Sequence, residues 1–155
     1  MIYSLSGKLK QRRGRFLIIG IGGVEFKVMV PATSEARLPK IGENLMVYTF
    51  LHIREGGADL YGFLSEDEIS FFESLISVSG IGPKSAISIL SVAPIGQLMA
   101  AVSRGEAELL QKSSGVGRKT AQRIILELKD KIVASGDEKA VEVMQSDNDI
   151  YDALV

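Results

Sequence analysis

Apolar and polar side chains alternate with a period of two through Val24, Phe26, Val28 and Val30, with Glu25 and Lys27 between them. This is the pattern of a strand with one face buried and the other in water. Phe16-Leu17-Ile18-Ile19 precedes it, and Gly20-Ile21-Gly22-Gly23 supplies the positive-φ positions that a tight hairpin requires. Met1 to Leu9, Leu45 to Ile53 and Leu60-Tyr61-Gly62-Phe63 are three further apolar stretches, giving five expected strands in the first 63 residues. The connections are too short for helical crossovers, so the strands are expected to run antiparallel. Closing them into a small OB-like β-barrel removes the exposed edges that a flat sheet would leave.

The period changes at Ser65. Ser65-Glu66-Asp67-Glu68 has the spacing of a capping box, in which the serine hydroxyl and the Glu68 carboxylate each satisfy an orphan backbone N–H. Ile69, Phe72, Leu75 and Ile76 follow at helical spacing, and helical patterning continues to Ala134. It is broken at Gly80-Ile81-Gly82-Pro83, at Pro94, at Arg104-Gly105 and at Gly115-Val116-Gly117. The last helix places Ala121, Ile124, Ile125, Leu128 and Ile132 on one face, with charges opposite. The expected class is therefore α+β: a five-stranded barrel over 1–63 followed by an all-α unit over 64–134. Residues 135–149 are acidic and short of apolar side chains, which reads as a flexible linker, and Asp149 to Val155 has the beginning of a helix, so 135–155 is expected to be a linker and the start of a further domain.

Composition narrows the chemistry. The 155 residues include no cysteine and a single histidine, His52, which excludes disulfides, thiolate catalysis and a Cys/His zinc site. His52 lies in an apolar strand without a second histidine, and reads as a packed or solvent-facing strand residue. No apolar run approaches the roughly 18 residues of a membrane span. Met1 to Leu5 lacks the layout of a secretory signal, so a cytoplasmic location is expected. The formal net charge of −1 is unevenly spread. Residues 1–63 hold nine Lys/Arg against five Asp/Glu, a net +4; residues 64–134 balance at eight each; residues 135–155 carry a net −5. A basic body with an acidic end is compatible with a polyanionic partner.

The most specific signal is an internal repeat with a spacing of 35 residues. Leu75, Ser79, Gly80, Ile81, Gly82, Lys84, Ser85 and Ala86 are matched in register by Leu110, Ser114, Gly115, Val116, Gly117, Lys119, Thr120 and Ala121. Each copy joins two helices. The glycines permit a tight turn and a close approach to a ligand, and the apolar residue between them pins the turn to the core. The helix that follows presents unpaired N–H groups and a positive dipole end, which together favour an anion. Lys84 and Lys119 stand in the first turn of those helices, with the Ser85 and Thr120 hydroxyls beside them. Arg118 adds a charge in the second copy. Arg123 follows Lys119 at i, i+4 and is either a further phosphate contact or a solvated surface residue. A nucleotide P-loop is rejected, because Pro83 or Arg118 separates the second glycine from the lysine and no strand leads into the turn.

These turns resemble tandem helix-hairpin-helix motifs, which bind DNA phosphates. Together with the barrel, Gly22-Gly23-Val24 and the Leu60-Tyr61-Gly62-Phe63 junction, the chain is similar over residues 1 to about 134 to the RuvA family. Members of that family are the DNA-binding subunits of the bacterial Holliday junction branch-migration complex. The resemblance implies sequence-independent binding of four-way junctions in recombination, DNA repair and the SOS response. It implies a homotetramer, alone or paired into an octamer, and a RuvB-type hexameric ATPase as partner. The ATPase contact belongs to a small third domain, of which residues 149–155 match only the start. No catalytic residue, cofactor or metal is implied. The DNA-binding set carried over is Ser79, Gly80, Ile81, Gly82, Lys84, Ser85, Ser114, Gly115, Val116, Gly117, Arg118, Lys119, Thr120 and Arg123. The family also carries two adjacent acids on a barrel hairpin, an acidic pin that repels phosphates at the crossover. Here Glu55 matches, Gly56 replaces the second acid, and Asp59 is the candidate substitute.

Two other classes of function compete. A helix-hairpin-helix glycosylase or nuclease needs a placed nucleophile or clustered carboxylates, but Glu66-Asp67-Glu68 is accounted for by capping and Glu106 and Glu108 do not share a helix face. RNA binding through the barrel needs stacking aromatics, for which Phe16, Tyr48 and Phe50 are the candidates. Lys8, Lys10, Arg12, Arg13 and Arg15, near the first hairpin, either extend a DNA-facing basic surface or block edge pairing.

Overall fold

Five strands close into a barrel in the computed structural model, which describes residues 1–135. They are β1 (Ser4–Arg13), β2 (Phe16–Ile21), β3 (Val24–Met29), β4 (Asn44–Arg54) and β5 (Gly57–Phe63), in the spatial order β1-β2-β3-β5-β4. Ser135, expected to begin the linker, instead ends the last helix, and the rest of the expected linker and third-domain start, 136–155, lies outside the described residues.

The barrel departs from the sequence expectation in two respects. Four of its five seams are antiparallel, but β3 meets β5 in parallel at Met29 and Tyr61. The segment from Val30 to Glu43, including a 3₁₀ turn over Ala32–Arg37, crosses to the far side before β4 begins. Simple alternation of strand direction is lost there. The β2–β3 turn is also shorter than expected: Gly20 and Ile21 are ladder residues, and only Gly22 and Gly23 have positive φ.

Strand β5 joins the two halves because its two faces serve different cores. Gly62 points into the barrel, where an added Cβ would collide with Val28. The neighbouring interior is filled by Leu5, Leu9, Leu17, Ile19, Val28, Val30, Leu45 and Val47. Tyr61 and Phe63 point the other way and begin the helical core. Phe72 is the hub of that contact, with ring centroids 4.7 Å from Phe63, 5.6 Å from Tyr61 and 5.3 Å from Phe50. Such tilted and edge-on pairs add to the burial of large apolar faces.

Five helices follow: α1 (Glu66–Ile76), α2 (Pro83–Leu90), α3 (Ile95–Arg104), α4 (Ala107–Gln111) and α5 (Arg118–Ser135). The start of α1 differs from a simple capping box. The Ser65 hydroxyl accepts from the Glu68 N–H at 3.3 Å, as expected, but the Glu68 carboxylate accepts from the Leu64 N–H at 3.0 Å. Its other oxygen is paired with the Arg37 guanidinium from the barrel crossing. Glu68 is thereby buried yet paired, the condition under which a carboxylate is tolerated inside. Two more bonds fasten the crossing to the end of α2. The Thr33 hydroxyl donates to the Leu90 carbonyl at 2.8 Å, and the Ala32 N–H donates to the Ser91 hydroxyl at 3.0 Å.

Candidate nucleic-acid interface

The 35-residue repeat is reproduced residue for residue in three dimensions. α1 ends at Ile76 and α2 begins at Pro83; α4 ends at Gln111 and α5 begins at Arg118. Leu75 and Leu110 are both fully buried, as are Ala86 and Ala121. Between the helices the Ile81 N–H donates to the Val78 carbonyl at 3.1 Å, and the Val116 N–H to the Ser113 carbonyl at 3.4 Å. Ile81 and Val116 are buried, so each turn is pinned by its middle residue.

The two glycines of each turn are glycine for different reasons. Gly80 and Gly115 have φ of 86° and 82°, the left-handed region that a Cβ disfavours. Gly82 has φ −94° and caps α2, and neither it nor Gly117 has any atom within 4 Å of an added Cβ. Among the described residues nothing demands glycine at either position. An added Cβ at either position would stand in open space next to the amides that open the following helix.

Those amides are available. In α2 the first helical bond runs from the Ala86 N–H to the Gly82 carbonyl at 3.0 Å, and in α5 from the Ala121 N–H to the Gly117 carbonyl at 2.9 Å. The N–H groups of Lys84 and Ser85, and of Arg118, Lys119 and Thr120, therefore have no acceptor in their own helix. Lys84, Arg118 and Lys119 are exposed beside them, and the residues bearing the Ser85 and Thr120 hydroxyls are half-buried. Ser79 and Ser114 are exposed on the approach to each turn. Each copy thus collects bare amides, a helix dipole and a flexible cation, the elements of an anion site.

A further chain of contacts ties the two copies together. The Arg123 guanidinium, on α5, donates to the Ser79 carbonyl at 3.3 Å, and the Lys131 ammonium meets the Ser77 hydroxyl. Arg123 is thus a brace across the first turn as well as an exposed cation. The repeat points to both turns, but it could not reveal this cross-link, because Arg123 has a serine, Ser88, as its counterpart in the first copy.

The barrel residues separate into engaged and open ones. Glu55 and Gly56 form the tip of the β4–β5 hairpin, with Glu55 exposed. Asp59 accepts from Arg54 Nε at 2.8 Å and Nη2 at 3.4 Å, so its charge is compensated within the hairpin. The bond from Arg54 holds its carboxyl below the ordinary carboxylate value, with the nearby charges of Lys84 and His52 acting in the same direction. Lys84 belongs to the first turn, so the barrel hairpin and that turn share an electrostatic neighbourhood. Arg12 is paired with Glu35 at 3.2 Å and Arg13 bonds Gln11; Lys8, Lys10 and Arg15 are exposed. The stacking candidates are engaged: Phe16 lies under the Lys27 ammonium, Tyr48 is edge-on to Tyr3, and Phe50 abuts Phe72. Among the described residues no three His, Asp or Glu side chains gather as a metal site would need, and no single helix is long and apolar enough to cross a membrane.

Comparison with known proteins decides the family. The model of the RuvA N terminal domain matches residues 1–62, and that of the SAM-like helix-hairpin-helix tandem matches residues 72–130. The Holliday junction branch migration complex subunit RuvA of Dehalococcoides mccartyi is 43% identical over 155 residues, covering 99% of this chain and 80% of that protein. This chain belongs to the RuvA family. The RuvA subunit of Caldanaerobacter subterraneus is 41% identical over 154 residues, again 99% of this chain and 80% of the relative. That of Solibacter usitatus is 39% identical over 160 residues, with 100% and 81% covered. The α+β architecture of barrel and helix-hairpin-helix tandem is therefore both the observed fold and the RuvA family's.

Proposed function

We propose that this chain is a non-catalytic subunit that binds four-way junction DNA through its backbone and supports branch migration by an ATPase partner. The observation that carries the reading is the pair of Gly-x-Gly turns in identical register, each opening a helix whose bare amides stand beside a lysine. Amides and lysines read phosphates, not base edges, so binding is independent of sequence. Affinity falls steeply with salt as counterions are released. The relatives' names, each a subunit of a Holliday junction branch migration complex, support the choice of a junction over other phosphate-rich partners and do not favour a glycosylase or nuclease.

The DNA-binding set is Ser79, Gly80, Ile81, Gly82, Lys84 and Ser85 in the first turn, with Ser114, Gly115, Val116, Gly117, Arg118, Lys119 and Thr120 in the second, and Arg123 between them. Ile81 and Val116 act from beneath, by fixing the turns. Glu55, at the exposed tip of the barrel hairpin, is the repelling acid at the crossover. Four chains surround one junction, one arm each, and the motor is a RuvB-type hexameric ATPase.

The test is a gel-shift titration of four-way and linear DNA of equal length, with light-scattering mass of the free protein. Tighter binding of the junction, regardless of base sequence, and a mass of four or eight chains are expected. Equal affinity for both DNAs overturns the junction reading, and a monomer mass overturns the assembly.

A further inference from the structure

The outer face of the β4–β5 hairpin carries an arginine that the rest of the site does not use. Outward residues alternate with inward ones, so His52 and Arg54 on β4 share a face with Gly57, Asp59 and Tyr61 on β5, and that face is the one the helices cover at Phe50 and Tyr61. Arg54 stands opposite Gly57, and Asp59 opposite His52, which makes Arg54 and Asp59 diagonal neighbours. Gly57 leaves room for the guanidinium to fold across the strand: an added Cβ there would lie 3.7 Å from Arg54 Nη2. The pair sits at the open rim of the barrel, with the side chains 52% and 36% exposed. The pair adjoins the hairpin tip that carries Glu55, the acid assigned above to the crossover, and the Lys84 charge of the first turn acts on Asp59 in the same direction as Arg54 does.

We propose that Asp59 is a restraint on Arg54, keeping its guanidinium folded on the hairpin and off the DNA backbone, and is not a second repelling acid. This rests on the reading that the Gly-x-Gly turns hold DNA. An arginine fork matches a phosphate as well as it matches a carboxylate. Left free beside a gripped strand, Arg54 would add an attractive contact next to the repelling Glu55 and hinder strands that must slide. Bound to Asp59 it adds none, and the tip keeps only the Glu55 charge.

The test is a salt titration of binding to four-way junction DNA and, separately, to linear duplex, with the intact chain and the variants Asp59→Asn, Arg54→Ala and the double variant. Each phosphate contact changes the slope of log affinity against log salt by about 0.9. Asp59→Asn should tighten binding roughly two- to fivefold for each chain engaged, the size of one exposed ionic contact, and steepen the slope by about one contact per chain. Arg54→Ala should leave the slope as it is, and adding it to Asp59→Asn should abolish the gain in slope. An unchanged slope in Asp59→Asn, or a gain that survives in the double variant, overturns the proposal; survival would make Asp59 a plain repelling acid. Thermal melts of each variant establish that all are folded. Equal affinity of the unaltered chain for both DNAs would overturn the junction reading alone, since the slopes on duplex still report on Arg54.

Discussion

The two Gly-x-Gly turns have the same backbone but different surroundings. The first is held from outside: α1 packs on the barrel through Phe72, the crossing clamps it through Arg37 and Glu68, and Arg123 braces its turn at Ser79. The second opens α5, an 18-residue helix that carries it without a comparable clamp to the barrel among the hydrogen bonds described. Charge is distributed the other way. Pro83 removes an amide and adds no charge where Arg118 offers both. The first turn is thus positioned and the second is charged, and one local sequence pattern meets two needs. In the junction binding proposed above, four arms at fixed angles require accurate placement relative to the barrel hairpin, while holding them requires cations.

The widest break in this comparison is to reverse both lysines. Lys84→Glu with Lys119→Glu places a carboxylate over each set of amides, and junction affinity should fall more than about a hundredfold at low salt. The melting temperature should stay near that of the unaltered chain, because both side chains are exposed. Next is the clamp of the first turn. Arg37→Ala leaves the Glu68 carboxylate buried with one partner fewer, and should cost about 1–2 kcal/mol by denaturant titration, at the low end because Arg37 is half exposed. If the first turn depends on that clamp, preference for junction over duplex should fall in this variant, while the second turn continues to bind duplex.

A finer probe separates the glycines. Gly82→Ala and Gly117→Ala add a methyl group where the chain has nothing within 4 Å, so stability should be kept or slightly improved. Affinity should nevertheless drop, by about tenfold each, the size of one lost charge-assisted bond, if phosphate sits over the amides. Gly80→Ala should do the opposite: its φ of 86° makes it a folding lesion first, of about 1 kcal/mol. Equal melting losses in Gly80→Ala and Gly82→Ala would refute the division of labour.

Most of this site was legible because it is local. A repeat of Leu, Ser, Gly, Gly, Lys and Ala in register fixes two turns without any tertiary knowledge, and period-two and period-3.6 patterns fix the barrel and the helices. What escaped was set by contacts that no local pattern encodes. The parallel β3–β5 seam depends on where the Val30–Glu43 crossing leads, which no alternation encodes. Glu68 read as a capping residue and is also the buried partner of Arg37, 31 positions away. Asp59 read as the candidate second acid of the pin, because nothing in the order of residues says that Arg54 folds back across Gly57. Charges reveal themselves in a sequence by type, and their partners only in the fold.

The smallest expected effect probes the asymmetry directly. Pro83→Arg gives the first turn the residue that the second already has. Proline at the first helical position is well suited to opening α2, so the substitution gives up a little preorganisation, and the helix should lose a few tenths of a kcal/mol. In exchange the turn gains an amide and a cation next to Lys84. Junction affinity should rise about threefold, and the salt slope should steepen by close to one contact per chain. The reverse change, Arg118→Pro, should flatten it by the same amount. If Pro83→Arg tightens duplex but not junction, the first turn meets phosphates only when the DNA is unconstrained. Its rigid seating against the barrel would then hold it at a distance from the arms, and the second turn would carry the grip alone.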